Sequence, residues 1–96
     1  MHYLLFYEKA AGYEEQQKPF AEAHLAYLNG LVTSGHLILG GSMEDPVDGS
    51  AILLFEAESL AAVEAFTKND PYVLHGVVCR WQVRQWDTVI GTYLSD

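Results

Sequence analysis

The sequence predicts an α+β fold of the ferredoxin-like βαββαβ order, a four-stranded antiparallel sheet with two helices on one face. Three observations predict it. Apolar residues recur at strand spacing in four segments, they recur at helical spacing in two segments between these, and glycine or proline stands where the period changes. At 96 residues the chain can bury one hydrophobic core but not two, so residues 1–96 read as one domain, with no repeat, low-complexity tract or long linker.

Tyr3 to Tyr7 is an unbroken aromatic and leucine run, which suits a strand with apolar groups on both faces, and Gly12 closes the loop behind it. From about Glu15 to Ser34, Phe20, His24, Tyr27, Leu28 and Leu31 follow helical spacing. Pro19 is tolerated near a helix start, and Gly35 sits where a C-terminal cap belongs. His36 to Leu39, continued by Gly40, Gly41 and Ser42, reads as a strand, and the turn formers of Glu44 to Gly49 lead into a returning strand, Ala51 to Phe55. Ser59 is an N-cap for a second helix whose apolar face is Leu60, Val63 and Phe66. Pro71 ends that helix near Asn69 or Asp70. Tyr72 to His75 is a short turn capped by Gly76. Val77 to Trp86 is the last strand, with Val77, Cys79, Trp81 and Val83 on one face, and Trp81 and Trp86 are assigned to packing.

Two helices cover only one side of the sheet, yet the first and third strands carry apolar residues on both. A second copy packed sheet to sheet is the economical cover, so a homodimer is expected. The net charge of −8 argues against nucleic acid or an acidic membrane surface as partner, and the apolar half of the composition argues against disorder. The opening apolar run is far too short to span a membrane and lacks the basic start of a signal peptide. The lone Cys79 has no internal disulfide partner. A cytoplasmic protein acting on a small molecule is the expectation.

Two residues carry the candidate chemistry. His24 lies on the apolar stripe of the first helix, so its imidazole should point toward the sheet; the plain alternative is a core histidine satisfied by a backbone carbonyl. Asp70 opens the Asp70-Pro71-Tyr72 turn, where an ordinary turn aspartate is the alternative. The βαββαβ order puts the first helix and the end of the second on the same side of the sheet. There Asp70 could orient one ring nitrogen of His24 and leave the other to a ligand, forming a general acid–base device. Gly40-Gly41-Ser42 lacks the length and lysine of a phosphate loop. Gly41 and Ser42 instead suit a pocket wall, with a hairpin turn as the alternative, and Tyr72 suits the same rim. Arg80 and Arg84 share a strand face and suit an interface better than an anion site. His2, His24, His36 and His75 show no metal-ligand spacing, so neither a metal nor another cofactor is expected.

Ala23-His24-Leu25, Gly35, Gly40-Gly41-Ser42, Asp70-Pro71-Tyr72-Val73, Gly76-Val77-Val78 and the ending Trp81-Gln82-Val83-Arg84-Gln85-Trp86 follow one another in a characteristic order and spacing. In these motifs, over nearly its whole length, the chain resembles the YCII-related (YciI-like) domain family. The resemblance implies a dimeric α+β barrel of ferredoxin-like subunits, with His24 and Asp70 at the positions of the family's proposed catalytic histidine and aspartate. It also implies acid–base elimination or hydrolysis of small aromatic or halogenated molecules. The chain departs from the family's pattern at Gln16, Gln17 and Lys18, where an arginine is usual, and at Ser42, where many members have proline.

The leading expectation is thus a small cofactor-independent enzyme, lyase-like or hydrolase-like, with catalytic residues His24 and Asp70 and substrate-binding residues Gly41, Ser42 and Tyr72. A non-catalytic small-ligand-binding or accessory domain is the alternative from another class. A monooxygenase or muconolactone-isomerase-like enzyme on the same barrel is a third, by fold analogy alone.

Overall fold

Alternation along the first strand, β1 (His2–Lys9), splits its side chains between two environments. Tyr3, Leu5 and Tyr7 are almost completely buried, whereas Leu4 and Phe6 are half-buried. A computed structural model describes residues 1–92, so the last part of the domain expected over 1–96 lies outside the described residues.

β1 sits inside a four-stranded sheet of order β2-β3-β1-β4, formed with β2 (Leu37–Ser42), β3 (Ala51–Glu56) and β4 (Val78–Trp86). All three pairings are antiparallel, which is the ferredoxin-like arrangement. Leu5 faces Leu53 and Val83 across the ladder, and Tyr3 faces Phe55, so these residues point to one side. Leu4 faces Leu54 and Phe6 faces Ile52 on the other. The first side is covered by α2 (Ala21–Thr33) and α3 (Leu60–Lys68), and its core includes Leu31, Leu37, Val63, Tyr72 and Val77. Each fully buried member such as Leu5, Phe55 or Val63 contributes about 1.5–3 kcal/mol of burial free energy.

The single helix expected from Glu15 to Ser34 is broken in three: α1 (Tyr13–Gln16), a 3₁₀ turn (Lys18–Phe20) and α2. Pro19 is the physical reason, because it has no N–H to give the helix and its ring crowds the carbonyl four residues back. The Phe20 N–H accordingly donates to the Gln17 carbonyl at 2.9 Å, a three-residue step. At the other end α2 closes with a Schellman pair, His36 N–H to the Leu31 carbonyl and Gly35 N–H to the Val32 carbonyl, both 3.0 Å. Gly35 takes the left-handed φ of 83° that this cap requires. α3 starts at its expected cap, with the Ala62 N–H donating to Ser59 Oγ.

Two expectations for the last strand are corrected. A register shift opposite Glu8 and Lys9 pairs Lys9 with Val78 and Glu8 with Arg80, leaving Cys79 between them. This bulge turns Cys79 out to solvent with its Sγ near the Glu8 carbonyl, so Val77, Trp81 and Val83 pack inward as expected, Val78 joins them, and Cys79 does not. Trp81 packs on the core as expected. Trp86 does not: it faces His2 at the end of the uncovered side and is 47% exposed.

Candidate functional site

The site begins where α3 stops. Asp70 has extended backbone, φ −67° and ψ 127°, and caps the short helix α4 (Pro71–Leu74), whose first position is filled by a proline with no N–H to satisfy. This turns the Asp70 carboxylate inward, where it is completely buried. Three donors hold it. Tyr72 N–H and His24 Nδ1 reach Oδ1 at 3.0 and 2.7 Å, and the Tyr7 hydroxyl donates to Oδ2 at 2.7 Å. The donors come from α4 itself, from α2 and from β1, so one carboxylate ties three elements together.

Because Nδ1 faces a carboxylate, it carries a proton in both the neutral and the charged imidazole, and Nε2 is the nitrogen that exchanges one. The ring lies flat on Tyr72, with centroids 3.7 Å apart and planes 5° from parallel. Oriented by Asp70 and Tyr72, it keeps 14% of its side chain exposed. Among the described residues, no buried side-chain nitrogen or oxygen lacks a hydrogen-bond partner, and Nε2 makes no such bond; it is therefore open rather than sealed. Burial, reinforced by the charge of Asp70 and its hydrogen bond, holds the Tyr7 phenol far above its ordinary range and keeps it a donor. Burial and Asp70 likewise raise the Tyr72 and Tyr27 phenols.

His24 opens onto a cavity of about 270 Å³ lined also by Tyr7, Lys9, Gly41, Ser42 and Tyr72, with Leu25, Leu28 and Leu53 among its apolar walls. An apolar cavity of about 150 Å³ accepts a benzene molecule, so this one has room for a substituted single ring. The structure brings His24, Gly41, Ser42 and Tyr72 to one cavity. Asp70 stands behind the imidazole and does not line it. Gly40 and Gly41 differ: a Cβ on Gly40 would meet Leu53 Cγ at 3.0 Å, whereas one on Gly41 would meet nothing within 4 Å. The close backbone approach is thus at Gly40. A larger cavity, about 440 Å³, lies on the uncovered side against Phe6, Ile52, Arg80 and Gln82, away from His24.

Tyr7 and Lys9 were not assigned to the site from sequence. Their signal is the strand period: both fall on the inward parity of β1, after Tyr3 and Leu5, and a polar pair there marks where the core gives way to a pocket. Lys9 donates to Gln17 Oε1 at 3.1 Å, and its ammonium lies 5.1 and 5.3 Å from the ring centroids of Tyr13 and Tyr72. Burial lowers the Lys9 pKa, opposed by the attraction of Asp70. Among the described residues, no three His, Cys, Asp or Glu side chains converge as a metal site would require, and no helix is long and apolar enough to cross a membrane.

A model of the YCII-related domain matches residues 1–87. Among solved structures, the chain is similar to 5-chloro-2-hydroxyhydroquinone dehydrochlorinase from Burkholderia phenoliruptrix AC1100, determined in complex with 2,5-dihydroxybenzoquinone. The two share 28% sequence identity with a TM-score of 0.77, over 91% of this chain and 94% of that one. No curated protein matches the chain by sequence.

Proposed function

Since the chain belongs to the YCII-related domain family, we propose that it is a small-molecule enzyme of the lyase-like, elimination type, with His24 as general acid–base and Asp70 as its positioning residue. The observation that carries this reading is the 2.7 Å bond from His24 Nδ1 to a fully buried Asp70, with Nε2 left open to a ring-sized cavity. Nε2 takes a proton from the substrate. The electron pair left behind forms the new π bond, and the leaving group departs with its own bonding pair. The imidazolium so formed is stabilised by Asp70 and later yields its proton to solvent or product. The similar solved enzyme is a dehydrochlorinase, so halide is the first leaving group to test. Gly41, Ser42 and Tyr72 form the wall that holds the substrate, and hydrolysis of a small ester or lactone would use the same proton transfer on water.

A panel of halogenated phenols, small esters and lactones, followed by halide or acid release, tests this reading. His24→Ala should lower kcat by roughly 10²–10⁴-fold, and Asp70→Asn should lower it too. Turnover unchanged in both variants would overturn the roles; binding without turnover anywhere in the panel would favour the ligand-binding alternative.

The same proposal includes a homodimer formed through the uncovered sheet side. Leu4, Phe6, Ile52 and Leu54 are only half-buried there, and Leu39 and Trp86 are exposed beside them. A mainly monomeric species in light scattering at micromolar concentration would rule it out.

A further inference from the structure

We propose that Lys9 selects the substrate: its ammonium binds an ionised oxygen, phenolate or carboxylate, on the small ring whose proton His24 moves. This rests on the reading of the cavity given above and adds the substrate's charge to it. Among the described residues lining the cavity, Lys9 is the one lysine or arginine. Its position is built rather than incidental. The ammonium donates to a neutral amide oxygen, Gln17 Oε1, and lies against the rings of Tyr13 and Tyr72, none of which supplies a counter-charge. Among the described residues no carboxylate lies within ion-pair distance of it. A half-buried ammonium with three N–H groups and one acceptor retains donor capacity, and Asp70 attracts it only from beyond ion-pair distance, so an anion entering the cavity would meet free N–H groups and a charge without a direct partner.

Geometry limits what that anion can be. Lys9 and His24 both border the Tyr72 ring, the imidazole stacked on it and the ammonium 5.3 Å from its centroid. A ligand that reaches both groups within about 270 Å³ carries its ionised oxygen and its transferable proton on one small framework. Gln17, just ahead of the 3₁₀ turn, holds Lys9 from the segment that leads into the His24 helix.

The test is binding by calorimetry in mildly alkaline buffer, pairing benzoate with benzamide and 4-nitrophenolate with 4-nitroanisole. The unaltered protein should prefer the charged member of at least one pair, and which pair tells carboxylate from phenolate. Lys9→Met should weaken that anion by roughly 10- to 100-fold while leaving its neutral counterpart unchanged, and Lys9→Arg should retain the preference. In the unaltered protein the Lys9 side-chain NMR signals should shift with the anion and not with the neutral probe, a readout that needs no variant to fold. Equal affinity for charged and neutral probes, no binding of any anion, or a preference that survives Lys9→Met would each overturn the inference. Loss of turnover in His24→Ala with the anion preference absent would sink this inference alone; the preference present without His24-dependent turnover would sink only the catalytic reading.

Discussion

The two sides of the sheet are built from the same kinds of residue and differ in what completes them. On the helix-covered side Tyr3, Leu5, Tyr7, Leu53 and Phe55 are sealed, and the Tyr7 hydroxyl, His24 Nδ1 and Tyr72 N–H are tied together through Asp70. On the other side Leu4, Phe6, Ile52 and Leu54 are half-exposed, with Arg80 and Arg84 on the same parity of β4. The covered side is closed by the chain's own bonds. Among the described residues no helix lies over the other side, where the segment at Thr88 reaches only the His2 end, so the free energy of its apolar surface depends on what it meets in solution.

The harshest way to break this contrast is to remove the bond that closes the covered side. Asp70→Ala deprives Tyr7 OH, His24 Nδ1–H and Tyr72 N–H of their acceptor at once and should cost about 3–5 kcal/mol of unfolding free energy by urea titration. Asp70→Asn keeps the shape and one acceptor oxygen, so it should cost clearly less. Equal, small losses in both variants would mean that the carboxylate is not what locks β1, α2 and α4 together.

A second experiment compares one phenylalanine from each side. Phe55→Ala opens a cavity in the sealed core and should cost about 3–5 kcal/mol at any protein concentration. Phe6→Ala should cost less, about 1–2 kcal/mol in dilute solution, because its ring is half-buried within the protomer. If a second copy covers that side, the Phe6→Ala penalty in Tm grows with protein concentration while the Phe55→Ala penalty does not. A concentration-independent Phe6→Ala penalty would remove self-association as the distinction between the sides.

The contrast also marks what a sequence can carry. The order of elements was legible because each switch between periods of two and 3.6 is punctuated by Pro19, Gly35, Ser59 or Pro71. The bulge at Cys79 was not, since a one-residue register shift leaves the local apolar pattern unchanged while reversing which side a residue faces. His24 stood out as a polar residue on an apolar stripe, and Asp70 as the carboxylate before a proline. Tyr7 was hidden by its own chemistry: in an aromatic run its ring reads as core, and its hydroxyl matters only because the fold brings Asp70 to it. Lys9 sits at the strand's end, where a lysine usually marks solvent.

The smallest effect concerns a second aspartate, in the loop that borders the cavity of the uncovered side. Asp48 accepts hydrogen bonds from both the hydroxyl and the backbone N–H of Ser50, and these hold its carboxyl below the ordinary carboxylate value. A depressed carboxyl pKa stabilises the folded loop above the ordinary value and loses that contribution as pH falls through the lowered one. Asp48 is fully exposed, so solvent screens the effect, and it should be seen in the loop rather than in global unfolding. Carbon-13 titration of the Asp48 carboxyl should find it low in the parent and moved upward in Ser50→Ala, with Tm nearly unchanged. Asp48 titrating at its ordinary value in the parent would mean that the Ser50 bonds do not hold its carboxylate. If the shift is found, the two aspartates differ by what their bonds span: Asp48 ties residues two apart at the surface, whereas Asp70 ties three elements in the interior. That difference makes one a local turn and the other the support of a site.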